Sequence, residues 1–440
     1  MITQAQFDSL LQLADPEERA SRYAETNTSL INLSVAENVL IYDVLKRLVF
    51  DHAVVGPRDT KYATSHGSPE LRQGVASFLG GSFGVSINPE HVFGVAGVSA
   101  TLECLAFVLL GEPAGKTTVL SPAPCWQGFD WCFAQRPKGT LRKFPTAAPQ
   151  IVWSDVEDAL KAHTGTRLLV LTNPHNPLGI NYDPRNLELI YQNVLRSHPD
   201  VHIISDEIYG LSQVGEPRPR FVSAFKLEAY RNATAEQQAR VHVVWGVAKD
   251  FGLSGFKGAF ILSTSQQVFN HLRPWREGNQ LPRQGMAWFA PMDSLKHIML
   301  TRLFTGQHNG RVIASFASEE YRKELKASHE AVVAELNKHS ASIPYLKDSN
   351  AAQFFWLDLS RHLNRHFPLT ASASDSRLLF PEIDEREARL HQYLQDTAKV
   401  QLLPGQTLAN PAPGWFRLCY TAEKSATVVT AIQQIAAALR

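Results

Sequence analysis

A series of short apolar runs crosses the middle of the chain: His91–Ala96, Thr117–Ser121, Leu168–Thr172, Val201–Ser205, Val241–Trp245 and Ala259–Leu262. Between them lie stretches of helical period such as Ala100–Leu110 and Asn186–Ser197. This alternation calls for an α/β fold, a mostly parallel sheet with helices on both faces. In such sheets polar chemistry collects beyond the carboxyl ends of the strands. Asn176, Asp206 and Lys249 each follow an apolar run closely, so all three are expected along that one edge.

The 440 residues allow two or three domains with an ample core. The pattern changes near Ser315, where Ser318–Lys338 reads as a charged helix and Gln353–Leu359 as a strand. We therefore expect residues 1–45 to join a small domain, 46–310 to form a large domain, and 311–440 to form the small carboxyl-terminal domain. Pro368–Ser376, rich in Ser and Ala, reads as a surface loop. A net charge of +1 suggests neither nucleic acid nor a membrane surface as partner. Cys104, Cys125, Cys132 and Cys419 form no CxxC pair and no metal-ligand spacing with histidine, so no metal is expected. With no signal-peptide pattern and no apolar run of about 20 residues, the default expectation is a cytoplasmic enzyme.

The chemistry-bearing residues form a set. Lys249 lies in Trp245-Gly246-Val247-Ala248-Lys249-Asp250-Phe251-Gly252, and Asp206 and Tyr209 in Ser205-Asp206-Glu207-Ile208-Tyr209. An amine, a carboxylate and a phenol suit an aldehyde cofactor with a basic ring nitrogen, pyridoxal 5'-phosphate. Lys249 would condense with the aldehyde, Asp206 would keep the ring nitrogen protonated, and Tyr209 and Asn176 would reach the ring's phenolic oxygen. Taken singly, Lys249 could be a surface lysine and Asp206 a turn residue. Asn176 lies in Asn173-Pro174-His175-Asn176-Pro177-Leu178-Gly179, where Asn176–Pro177 is a candidate cis peptide. The turn Gly97-Val98-Ser99-Ala100 opens a helix and offers backbone N–H groups, at Ser99 and Ala100 above all, to a phosphate, or is a plain capping turn. Trp126 is our choice for the aromatic face over the ring, against a core tryptophan. Arg417 could hold a substrate α-carboxylate by a bidentate pair, or serve in a structural salt bridge.

On these motifs the chain resembles the fold-type I pyridoxal enzymes of the class I/II aminotransferase family, from about Leu33 to the carboxyl terminus. Asn-Pro-x-Asn-Pro-x-Gly, Ser-Asp-Glu-x-Tyr and Lys-Asp-x-Gly-x-x-Gly-Phe carry the likeness. Ala36-Glu37-Asn38, Pro122-x-Pro124 with Gly128-Phe129-Asp130, and Gly414-Trp415-Phe416-Arg417 resemble the 1-aminocyclopropane-1-carboxylate (ACC) synthase-like branch. The resemblance implies an aspartate-aminotransferase-like large domain with a smaller α+β carboxyl-terminal domain. It implies a substrate-side role for Glu37, whose alternative is a helix-start carboxylate. It also likens Tyr62 to a tyrosine that reaches the partner's site, hence a homodimer with shared active sites.

The family usually has serines where this chain has Gly246 and Ala248, and an arginine where it has Lys257. Lysine binds phosphate as a point charge without the guanidinium fork, so looser cofactor retention is expected. For the reaction, the resemblance favours a carbon–sulfur lyase, because ACC synthases expel a sulfur leaving group. Fungal ACC-synthase-like relatives in gliotoxin-type secondary metabolism point to cysteine conjugates. An aminotransferase is the alternative, and a non-catalytic regulatory protein that kept the fold is a third reading.

Overall fold

The computed structural model describes residues 30–61, 66–111, 117–146, 149–216, 218–272, 292–365 and 383–440. Tyr62, the Pro368–Ser376 stretch and most of 280–295 lie outside these residues.

Runs such as Leu168-Leu169-Val170-Leu171 are apolar at every position because both faces of their strand are covered. Leu168 and Val170 join one core cluster, while Leu169 and Leu171 join another. The strands are β1 (Val92–Val95), β2 (Thr118–Ala123), β3 (Thr140–Pro145), β4 (Thr166–Thr172), β5 (His202–Asp206), β6 (Val241–Gly246) and β7 (Ala259–Leu262). They form one sheet in the order β1-β7-β6-β5-β4-β2-β3. β7 runs antiparallel to both of its neighbours, and the other pairings are parallel. The expected α/β architecture is therefore present, together with an edge strand, β3, that the apolar pattern does not announce. Its sequence Thr-Leu-Arg-Lys-Phe-Pro is only partly buried, as an edge allows.

Helices pack on this sheet. α1 (Pro69–Phe83) starts at Ser68, whose Oγ accepts from Leu71 N–H at 3.1 Å. It ends at Gly84, with φ of 66°. α2 (Val98–Leu109) follows β1, and α3 (Pro184–Ser197) leads into β5.

Beyond α4 (Ser294–Thr305) the chain enters α5 (Ile313–Lys338), which begins ahead of the predicted start at Ser318. A second sheet follows, with β8 (Phe354–Asp358), β9 (Leu403–Pro404) and β10 (Trp415–Cys419) in the order β8-β10-β9, antiparallel throughout. α6 (Glu385–Tyr393) and α7 (Ser425–Ala438) complete this smaller carboxyl-terminal part, where α7 packs along α5. Ile31–Asn32 pairs in parallel with Val400–Gln401, so the amino-terminal segment is built into it. Cys104, Cys125, Cys132 and Cys419 are buried free thiols. Among the described residues no helix is long and apolar enough to cross a membrane, and no cluster of metal-ligating side chains occurs.

Candidate active site

The carboxyl ends of β1, β2, β4, β5 and β6 open into one cavity of about 490 Å³. β5 delivers Asp206 as its last residue, opposite Thr172 at the end of β4. β6 ends at Gly246, and one helical turn, Val247–Asp250, presents Lys249. Asn176, Trp126, Tyr209, Ser99, Ala100, Lys257 and Arg417 line the same space. Those residues, named from the sequence, converge on one site. Glu37 is half-buried just outside it, next to the lining residue Ala36.

Asp206 is 4% exposed, and its Oδ1 accepts from Ile208 N–H at 3.3 Å. Burial pushes its carboxyl up to about 7, against hydrogen bonds from Ile208 and Thr172. A cationic partner brought to this carboxylate would relieve that cost. Lys249 Nζ donates to the Ala36 carbonyl at 2.6 Å. Burial lowers the affinity of its amine for a proton, and the Glu37 carboxylate opposes that shift. A buried amine of this kind is easier to deprotonate and so is a better nucleophile and base.

Arg417 sits in mid-strand on β10, paired with Trp356 and Leu403, and is 3% exposed. Its Nη1 donates to Asn176 Oδ1 at 2.8 Å and its Nη2 to the Ser34 carbonyl at 2.6 Å. Its guanidinium lies 4.4 Å from the centre of the Phe354 ring, and its Nε has no partner. No carboxylate among the described residues pairs with it. A buried guanidinium without a counter-ion is costly, and an anionic ligand would relieve it. Tyr209, 3% exposed, packs edge-on against Phe354 with ring centres 5.2 Å apart.

The turn before α2 has Gly97 at φ 98°, and no side chain caps this helix start. Gly97, Val98, Ser99 and Ala100 line the cavity, and uncapped N–H groups at a helix start suit an anion as a cradle. A Cβ on Gly97 would come within 3.3 Å of Lys257 Cβ, so the ammonium-bearing residue lies directly against the cradle. Trp126 is placed by its own loop. A Cβ on Gly128 would fall 2.2 Å from the indole, which stands edge-on to Phe129 and Trp131 at about 82° to each.

The replacement of serine by Gly246 has a steric reason: a Cβ there would meet the Gly258 carbonyl at 2.8 Å. Sequence reasoning missed Ser254, whose Oγ donates to the Ala248 carbonyl at 3.2 Å and lies 3.5 Å from Lys249 Nζ. It also missed Thr172, Gln127 and Leu403 in the lining; none of them carries a motif of its own. Asn176–Pro177 is cis, as are Asn173–Pro174 and Ala123–Pro124.

An anion cradle, an adjacent ammonium, a buried carboxylate and a buried amine together fit the phosphate, ring nitrogen and aldehyde of pyridoxal phosphate. Comparison with known proteins agrees. The family model for aminotransferases of class I and II matches residues 29–435. ACC synthase 5 of Oryza sativa subsp. japonica is 28% identical over 430 residues, covering 92% of this chain and 72% of that protein. ACC synthase 5 of Arabidopsis thaliana is 26% identical, covering 92% of this chain and 82% of that protein. The aspartate aminotransferase of Rhizobium meliloti superposes with a TM-score of 0.70 at 17% identity, covering 100% of this chain and 99% of that one. Pyridoxal phosphate is the cofactor of these enzymes, and this chain belongs to the class I and II aminotransferase family.

Proposed function

We propose that this protein is a pyridoxal-phosphate-dependent carbon–sulfur lyase acting on an amino acid, a cysteine S-conjugate or a related thioether or sulfonium compound. The observation that carries the reading is Arg417: a buried guanidinium that no carboxylate among the described residues pairs, in one cavity with Lys249 and Asp206. It suits the α-carboxylate of an amino-acid substrate, held by charge-assisted hydrogen bonds.

The cofactor, when bound, supplies a protonated ring that draws electrons from the substrate Cα. Lys249 would bear it, then remove the Cα proton with its freed amine. Asp206 would hold the ring-nitrogen proton, and Tyr209 and Asn176 would donate toward the phenolic oxygen. The N–H groups at Ser99 and Ala100, with Lys257, would hold the phosphate. Trp126 would cover the ring, and Glu37 would act on the substrate side beside Lys249. The sulfur then leaves from Cβ or Cγ with the electron pair of the C–S bond, taking up a proton as a thiol from a thioether substrate, or departing as a neutral thioether from a sulfonium. The likeness to ACC synthases supports elimination, while the family's own description supports amino transfer as the second outcome. We extend the proposal to a cytoplasmic homodimer on the family resemblance; Tyr62, likened to a tyrosine of shared sites, lies outside the described residues.

The test is product analysis. Pyruvate, ammonia and free thiol from a cysteine S-conjugate support the lyase, whereas amino transfer to a keto acid without thiol release favours the aminotransferase. Lys249→Ala should abolish turnover, and unchanged activity would remove the assignment.

A further inference from the structure

The peptide carbonyl of Lys249 receives two side-chain amides from distant parts of the chain. Asn38 Nδ2 donates to it at 2.8 Å, and Gln353 Nε2 donates to it at 2.8 Å. Asn38 is 6% exposed and Gln353 is fully buried. Lys249 stands on a single helical turn, in which the Gly252 N–H also reaches the same carbonyl at 3.3 Å, without the regular ladder of a longer helix.

The second N–H of the Gln353 amide goes to the Tyr321 hydroxyl at 2.8 Å. Tyr321 Oη and Ser212 Oγ are 2.7 Å apart, and Ser212 Oγ donates to Asp250 Oδ1 at 2.7 Å. Asp250 Oδ2 accepts from Trp245 Nε1 at 2.9 Å and from Leu211 N–H at 3.1 Å. With Asp250 ionised, its acceptor-only carboxylate sets the direction of the whole chain: Gln353 donates to Tyr321, Tyr321 to Ser212, and Ser212 to Asp250. The Gln353 amide is thereby locked with its nitrogen toward Lys249, and its Oε1 is left buried without a partner. An apolar residue of similar shape would avoid that unmatched acceptor, so the donor is the part of this side chain that the fold uses.

Both amides arrive on elements that carry the rest of the site. Asn38 follows Ala36, whose carbonyl accepts from Lys249 Nζ. Gln353 precedes Phe354, whose ring underlies the Arg417 guanidinium. We propose that Asn38 and Gln353 are positioning residues: they seat the Lys249 main chain so that its amine is held in register with Arg417, and the Asp250–Ser212–Tyr321 relay orients the Gln353 amide. This rests on the reading of Lys249 as the cofactor-bearing base.

The test uses the holoenzyme with Gln353→Met, Asn38→Ala and Tyr321→Phe. The readouts are kcat, KM, the thermal midpoint and the pH midpoint of the lysine-bound cofactor's visible band. Misplacing a base without removing it lowers kcat about tenfold or more for Gln353→Met and leaves KM within about threefold. The band's pH midpoint should move with it, Asn38→Ala should act in the same direction, and Tyr321→Phe should give a smaller loss. A lowered thermal midpoint with wild-type kcat and an unmoved band in all three variants would overturn the proposal, leaving these residues as filler. If Gln353→Met does not fold, Asn38→Ala reads the same carbonyl from the other side and decides alone. A lysine-bound cofactor band that survives unchanged in Lys249→Ala would instead overturn the underlying reading of Lys249.

Discussion

Arg417 Nη1 donates to Asn176 Oδ1 at 2.8 Å, and this contact joins the second sheet to the loop after β4 across 241 residues of sequence. The bond fixes one edge of the guanidinium, and Nε remains without a partner. Arg417→Lys keeps the charge and loses the fork. Each lost charge-assisted bond is worth about 1.5–3 kcal/mol, so kcat/KM for an amino-acid substrate should fall about 10- to 100-fold, chiefly through KM. Steady-state kinetics checks this, and an unchanged KM would detach Arg417 from the substrate.

The two serine replacements should behave oppositely. Gly246→Ser must push the Gly258 carbonyl aside, and overpacking of this kind costs about 1–3 kcal/mol, read as a lower thermal midpoint. Ala248→Ser adds a hydroxyl in the cavity lining and should slow cofactor loss during dialysis, as should Lys257→Arg. Tight stoichiometric retention by the wild-type protein would contradict the expectation of a loosened phosphate site.

Gly128→Ala should dislodge the Trp126 indole, since no rotamer-free adjustment makes room for a Cβ 2.2 Å from the ring. We expect lower kcat/KM and an altered quenching of tryptophan fluorescence on cofactor binding. Full activity would mean that the indole is not the cover of the ring.

The buried imidazoles give the fold an acid limit. His202 Nδ1 and His242 Nε2 are 3.0 Å apart, and His242 Nδ1 lies 2.9 Å from Ser263 Oγ. Burial lowers His202 to about 4 and His242 well below its usual range. Both are therefore neutral in the folded chain, while in the unfolded chain they take up protons below about pH 6.5. Their contribution to stability is present above pH 6.5 and is lost as pH falls toward 4. His202→Gln should flatten the fall of the thermal midpoint between those values, worth about 3 kcal/mol at the acid end. An equally steep fall in the variant would place the acid sensitivity elsewhere.

Much of the site could be read from the sequence because its residues sit one or a few positions beyond apolar strands. Asp206 ends β5, Lys249 lies three residues past β6, and the strands place both on one edge without further information. β3 stayed hidden because Arg142 and Lys143 interrupt its apolar pattern on an exposed edge. Asn38 and Gln353 were illegible as a pair for a different reason. Each reaches a backbone carbonyl, which leaves no residue-type signature, at separations of 211 and 104 positions. Glu37 was named for its motif, and its place beside Lys249 depends on the pairing of Ile31–Asn32 with Val400–Gln401.

That last pairing has a consequence for biosynthesis. Ala36 and Asn38 hold Lys249, while Ile31, Leu33 and Val39 are themselves tied down by Lys399, Gln401 and Thr421. Contacts between such distant stretches are closed late, after local helices and neighbouring strands have formed. On the ribosome the emerging large sheet can fold while its reactive lysine still lacks a finished wall. The wall beside Lys249 is thus complete only once residues 399–421 have joined the amino-terminal segment.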